Sequence, residues 1–243
     1  MTACYARAMH DAPKQLAFDL PLDPRYGRED FLVSPSNERA YGLVERWPDW
    51  PDTVLVLTGP PGSGKSHLAR IWARRAGAAA YLAGQEVWEP AEPLRRVAGA
   101  SALVVDDADA APDEAALFHL YNAVVGCGGS VLLTASAPPA AWPVSLPDLR
   151  SRLLAAWPVL IEAPDETLLA ALLVKQFADR QLRVEPPVVG YLAHRLERSF
   201  AAARGIVAAL DRASLRARRP VTLPLARAVL LERLKRDEGE MAA

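Results

Sequence analysis

Short apolar runs alternate with stretches of helical periodicity through the first two thirds of the chain, and then only the helical period continues. Val54-Leu55-Val56-Leu57-Thr58 and the runs at 79–82, 102–107, 131–134 and 159–161 predict strands. Unbroken rather than alternating hydrophobicity marks strands covered on both faces. Ala40, Leu43 and Val44, then Leu68, Ile71 and Trp72, then Leu117, Leu120, Tyr121 and Val124 recur at helical spacing between them. Ser34-Pro35-Ser36-Asn37 and Asp113-Glu114 open helices, while Trp47-Pro48 and Gly77 close them. Strands alternating with helices give an α/β fold with a parallel sheet and helices on both faces. After Asp165 the pattern predicts helices over 165–180, 187–198, 200–217 and 224–236, a small helical bundle. The chain therefore divides at residues 1–30, 31–164 and 165–243. The first of these, with Pro13, Pro21 and Pro24, reads as an extended tail.

The strongest chemical signal is Gly59-Pro60-Pro61-Gly62-Ser63-Gly64-Lys65-Ser66, followed by His67. It fits the phosphate-binding pattern G-x-x-x-x-G-K-S/T and lies between a strand and a helix, as that pattern requires. Glycines let consecutive N–H groups point inward, and the following helix N-terminus completes a cradle for phosphate. Lys65 is expected to reach the outer phosphates of ADP or ATP, and Ser66 to ligate Mg2+. The run at 102–107 ends in Asp106-Asp107, which beside the loop strand places Asp106 near the metal and Asp107 near an attacking water. Asp109 is expected to be solvated. At the end of the 131–134 run, Thr134 and Ser136 are both candidates to orient that water, with an ordinary turn role equally open. Leu149-Arg150-Ser151-Arg152-Leu153-Leu154 follows the strand's loop, where an arginine can be presented to a neighbour's nucleotide.

In the tail, Gln15-Leu16-Ala17-Phe18-Asp19-Leu20 places Gln first and apolar side chains at alternate positions after it. It suits an extended peptide seated in a partner's pockets, or equally a tail folded back on its own domain. Composition narrows the remaining classes. Cys4 and Cys127 cannot form a disulfide framework, and four scattered histidines argue against a zinc site. No apolar run approaches the ~20 residues of a membrane span and no signal-peptide core opens the chain, which points to a cytoplasmic protein. The net charge of −1 makes no overall case for nucleic acid, although from Tyr191 onward eleven Lys/Arg stand against six Asp/Glu. With 24 Arg and only 4 Lys in the chain, any single arginine is a weak signal.

The order of these features resembles AAA+ proteins, P-loop NTPases with a helical lid, and the details resemble the DnaA branch. Phe31-Leu32-Val33 with Ser36-Asn37-x-Arg39-Ala40 resembles that branch's adenine-side segment, which implies Phe31, Val33 and Asn37 at the nucleotide. Asp106-Asp107 resembles its acid pair. Leu149-Arg150-Ser151-Arg152-Leu153 resembles its arginine-finger segment, with Arg152 as the finger acting in trans. Leu210-Asp211-Arg212-Ala213-Ser214 is similar to the lid of Hda-like regulators. DnaA continues past its lid into a DNA-binding helix-turn-helix, for which the residues after the lid are expected to be too few. Hda-like proteins instead carry a peptide for the DNA polymerase sliding clamp, and Gln15, Leu16, Phe18 and Leu20 match its pattern. Two positions depart from the branch: Ala201 stands where a lid arginine contacts phosphates, with Arg198 and Arg204 as possible substitutes, and Ala137 replaces an arginine before paired prolines.

The resemblance implies a replication-initiation regulator that docks on the DNA-loaded clamp and promotes hydrolysis of DnaA-bound ATP, reaching DNA through clamp and DnaA. It implies a homodimer or a nucleotide-dependent oligomer as possible assemblies. Two other readings stay open. One is an ATP-hydrolysing helicase-loader-type protein using its own Asp107 and a neighbour's Arg152. The other is a nucleotide-bound adaptor without a catalytic arginine.

Overall fold

The protein's computed structural model describes residues 26–88 and 91–241, so Gln15, Leu16, Phe18 and Leu20 lie outside the described residues. In chain order the elements are α1 (Glu38–Arg46), β1 (Val54–Thr58), α2 (Lys65–Ala76), β2 (Ala79–Ala83), α3 (Ala91–Arg96), β3 (Ala102–Asp106), α4 (Glu114–Val125) and β4 (Ser130–Ala135). They continue with α5 (Pro147–Ala155), β5 (Trp157–Leu160), α6 (Glu166–Asp179), α7 (Pro186–Arg195), α8 (Phe200–Ala217) and α9 (Leu223–Met241). The five strands form one parallel sheet in the order β2-β3-β4-β1-β5. From β1 the chain crosses to the far edge, returns through β3 and β4, and then passes to β5 on the other side of β1. That reversal leaves a crevice at the carboxyl end of β1, where ligands settle in such sheets.

Strand parity explains the apolar runs. Leu55, Leu57, Val104 and Leu132 face α1 and α2, packing with Leu68, Ile71 and Trp72. Val56, Leu103, Val105 and Leu133 face the opposite layer, with Leu117 and Leu120 of α4 and Leu149 and Leu153 of α5. Both faces are dry, so neither parity can be polar within the central strands. α6 to α9 gather a separate core around Leu173, Phe177, Leu192, Ile206, Leu210 and Leu230. Side-chain caps start two of these helices: Asp165 Oδ1 accepts from Leu168 N at 2.7 Å, and Ser199 Oγ accepts from Ala202 N at 3.0 Å.

The sheet order and the boundaries differ from the pattern-based expectation in a few places. β4 lies between β1 and β3, so the acid-bearing strand is not beside the loop strand, yet Asp106 still reaches Ser66. α7 ends at Arg195 rather than near 198, because Leu196 is extended and Ser199 caps the next helix. Arg198 therefore belongs to the connection between helices. The short α3 has no full apolar period to announce it. β5 begins at Trp157, and Ile161 is joined to β1 only by its N–H to Thr58 O at 2.7 Å. Among the described residues, no helix is long and apolar enough to cross a membrane.

Candidate functional site

The phosphate loop leaves β1 at Gly59 and turns into α2 at Lys65. Gly62 and Gly64 hold φ of +80° and +99°, values open to glycine and strained for other residues. A Cβ on Gly62 would lie 2.5 Å from Arg204 Nη2, so the loop backbone and this α8 arginine approach closely. The loop opens onto a cavity of about 690 Å3, a size that suits a small-molecule ligand. Pro61, Gly62, Gly64, Lys65, Ser66 and His67 line one side of it, and Asp107, Asp109 and Ser136 another. Lys65 is buried, and its Nζ donates to Gly59 O at 2.8 Å and Pro60 O at 3.2 Å. Burial pushes its ammonium pKa down, while Asp107, Asp109 and Asp106 act in the opposite direction.

Beneath the loop lies a hydroxyl-carboxylate network. Asp106 Oδ1 accepts from Ser66 Oγ at 3.0 Å and from Thr134 Oγ1 at 2.6 Å, and Oδ2 accepts from Tyr81 OH at 2.7 Å. Thr134 Oγ1 also accepts from Asp107 N at 2.8 Å, so this fully buried hydroxyl bridges the two acids. Asp107 leaves the strand in the left-handed region, at φ 55°, which turns its carboxylate towards the cavity. Burial and then the charge of Asp106 raise its pKa. Asp109 is not simply solvated as its sequence suggests. The turn at Ala108–Ala110 folds it back, half-buried, so that Oδ2 accepts from Ser136 N at 2.9 Å. Ser66 and Asp106 thus present a hydroxyl and a carboxylate oxygen side by side, a donor set suited to Mg2+ when phosphates supply further oxygens.

The remaining predicted positions fall around the rim or away from it. Phe31 packs on Gly64, stacks on Tyr41 with centroids 5.6 Å apart, and meets His67 edge-on. His67 Nε2 donates to Gly27 O at 2.7 Å, and burial lowers its pKa. Asn37 is buried with its amide donating to Leu32 O and its carbonyl accepting from Ser34 N, both at 2.9 Å. It shapes the leading segment rather than lining the cavity. Val33 is half-exposed outside the lining. From α8, Arg204 reaches the cavity wall, whereas Ala201 and Arg198 do not line it. The lid is further tied to the leading segment by Lys175 Nζ and Asp30 Oδ1, 3.0 Å apart.

Arg152 lies outside this cavity. It is exposed on α5, its guanidinium carbon 5.6 Å from the Phe118 ring centroid and 5.7 Å from that of Tyr121, both on α4. Glu114, at the start of α4, accepts from Ser145 N and Leu146 N at distances down to 2.6 Å, which fixes the amino end of α5. Several participants are thus absent from the motif reading: Tyr26 on the cavity wall, Tyr81 on Asp106, and Glu114 under the arginine helix. For Tyr81 the signal lies in the sheet register, which pairs it with Val104.

Two outcomes follow from this geometry. Arg204→Ala should weaken ADP binding about tenfold, the worth of one charge-assisted contact to phosphate, and Arg198→Ala by less than about twofold. Fluorescent-ADP titration measures both, and equal losses would contradict the assignment. A carboxyl whose folded pKa is raised favours the fold while protonated and opposes it once ionised. Asp107→Asn should therefore raise the melting temperature at about pH 7, with the gain closing as pH falls to about 3. A gain that did not vary with pH would contradict this.

Comparison with known proteins agrees with the architecture. The family described as Hda, lid domain, matches residues 165–230. The chain is 26% identical over 234 residues to the chromosomal replication initiator protein DnaA of Thermomicrobium roseum, covering 87% of this chain and 50% of that protein. An uncharacterised protein of Haemophilus influenzae is 27% identical over 228 residues, covering 87% of this chain and 94% of its own. The structure of AMPPCP-bound DnaA from Aquifex aeolicus superposes with a TM-score of 0.67 at 19% identity, covering 90% of this chain and 71% of that one. The chain spans about half the length of the DnaA initiators it matches. With the phosphate loop, acid pair and sheet order in place, these likenesses show an AAA+ fold like that of DnaA, with residues 165–230 matching the Hda lid.

Proposed function

We propose that the protein holds ADP or ATP with Mg2+ at its phosphate loop and uses that nucleotide-bound body to present Arg152 to ATP on DnaA. The observation that carries this reading is the position of Arg152. It is exposed, outside its own cavity, and mounted on a helix whose start is gripped by Glu114. An arginine so placed is open to a nucleotide held by another subunit and not to the one at its own loop. AMPPCP in the Aquifex relative supports a nucleotide at the loop. In this reading Lys65 and Arg204 neutralise phosphate charge, Ser66 and Asp106 hold Mg2+, and Thr134 keeps the two acids in register. The tail residues Gln15, Leu16, Phe18 and Leu20 dock on the sliding clamp and bring the arginine to DnaA on DNA. Hydrolysis of DnaA-bound ATP then restrains replication initiation.

A helicase-loader-type ATPase draws on a different observation, the completeness of the protein's own hydrolytic set: Lys65, Asp106, Asp107 and Thr134 all converge in cis. It requires nucleotide-dependent oligomers in which a neighbouring copy's Arg152 completes the site.

The test is hydrolysis of DnaA-bound ATP with clamp loaded on DNA. Wild type should stimulate it, Arg152→Ala should lose about a thousandfold or more of that stimulation, and changing Gln15, Leu16, Phe18 and Leu20 together to Ala should abolish clamp dependence. No stimulation by wild type, together with ATP-driven self-assembly, would favour the loader instead.

A further inference from the structure

Arg70 lies one helical turn beyond Ser66 on α2 and is flanked by two tyrosines. Its guanidinium carbon is 4.5 Å from the Tyr26 ring centroid and 4.6 Å from that of Tyr81. Its Nε is buried without a hydrogen-bond acceptor, so the faces of the two rings provide the environment for this edge of the cation. Tyr81 passes the constraint on. Its ring sits under Arg70, and its hydroxyl donates to Asp106 Oδ2 at 2.7 Å. Pairing of Tyr81 with Val104 puts it on the same sheet face as Asp106, one strand over and two residues back.

The consequence for Asp106 is directional. With Oδ2 occupied by Tyr81, Oδ1 is turned to Ser66 and Thr134, the side on which a metal beside Ser66 would be met. The other end of the stack is the start of the described fold. Tyr26 lines the nucleotide cavity and meets His67 edge-on at 5.5 Å, and its carbonyl accepts from Arg74 Nη1 at 2.8 Å. Tyr26 is six residues beyond Leu20 in sequence. One cation thus connects the start of the described residues to the carboxylate under the phosphate loop.

We propose that Tyr26, Arg70 and Tyr81 form a positioning relay that holds Asp106 in its Mg2+-receiving orientation and makes the metal-dependent part of nucleotide affinity sensitive to the seating of Tyr26. None of the three needs to touch the reacting atoms. The relay rests on the reading of the loop as a Mg2+-nucleotide site, and it makes a demand which that reading alone does not. Removing the Tyr81 hydroxyl should weaken binding only when metal is present. A residue of merely structural importance would weaken it in both conditions.

The experiment measures ADP affinity of the full chain in excess Mg2+ and in EDTA, for wild type, Tyr81→Phe and Tyr26→Leu. Wild type should bind more tightly with Mg2+. Tyr81→Phe keeps the ring and its stacking on Arg70, so its affinity in EDTA should stay within about twofold of wild type. Its gain from Mg2+ should shrink about tenfold, the fold-change expected for losing a hydrogen bond to a charged group. Tyr26→Leu, which removes no group in direct contact with Asp106, should reduce the same gain in the same direction. A full Mg2+ gain in either variant, or equal losses with and without metal, would overturn the relay while leaving the nucleotide reading intact. Wild type that bound ADP equally with and without Mg2+ would overturn the metal role of Asp106 and the relay with it, and wild type that bound no ADP in either condition would overturn the nucleotide reading as well.

Discussion

Asp106 is a single carboxylate that receives hydroxyls from three separate parts of the fold: Ser66 from the start of α2, Thr134 from β4 and Tyr81 from β2. A charge this close to a dry core carries a large desolvation cost unless its lone pairs are satisfied. Its position therefore requires the strand order that is observed, with β3 between β2 and β4 and the loop strand one further along. The phosphate loop, the left-handed turn at Asp107 and the seat of Ser136 on Asp109 all stand on that arrangement. The same parity that puts Asp106 and Thr134 on one face sends Val105 and Leu133 to the other, where α4 and α5 pack. The acid network and the arginine helix are thus two faces of one sheet.

That division gives the molecule two surfaces with different mechanical origins. The cavity is closed by backbone turns and by Arg204 from α8, so its shape depends on how the lid sits. The Arg152 surface depends on Glu114 capping α5 and on Phe118 and Tyr121 under the guanidinium. None of these contacts involves the lid. In the proposed division of labour the first surface keeps nucleotide and the second acts on nucleotide held elsewhere.

Local signals carried most of the fold and the centre of the site. The loop is legible because its residues are consecutive, and the strands because burial on both faces leaves no polar parity. Asp106-Asp107 is legible as an acid pair for the same reason. What the sequence could not settle required register. Thr134 and Ser136 are indistinguishable as a strand end until β4 is aligned on β3, with Leu133 opposite Val105, which places Thr134 between the acids. Arg198 and Arg204 are equivalent as substitutes for a lid arginine until the cap at Ser199 shows which lies on α8. Tyr26, Arg70 and Tyr81 are far apart in sequence and meet only because β2 and the leading segment flank α2. Asp109, which reads as a surface acid, is recruited by a turn too short to have a pattern.

The account turns on where the arginine acts. The most direct measurement is single-turnover hydrolysis with ATP labelled on its terminal phosphate and loaded in turn on DnaA or on this protein, before the two are mixed on clamp-loaded DNA. The account predicts rapid release of label from DnaA and slow release from this protein. Rapid turnover of the label on this protein, with DnaA-bound ATP unchanged, would contradict it.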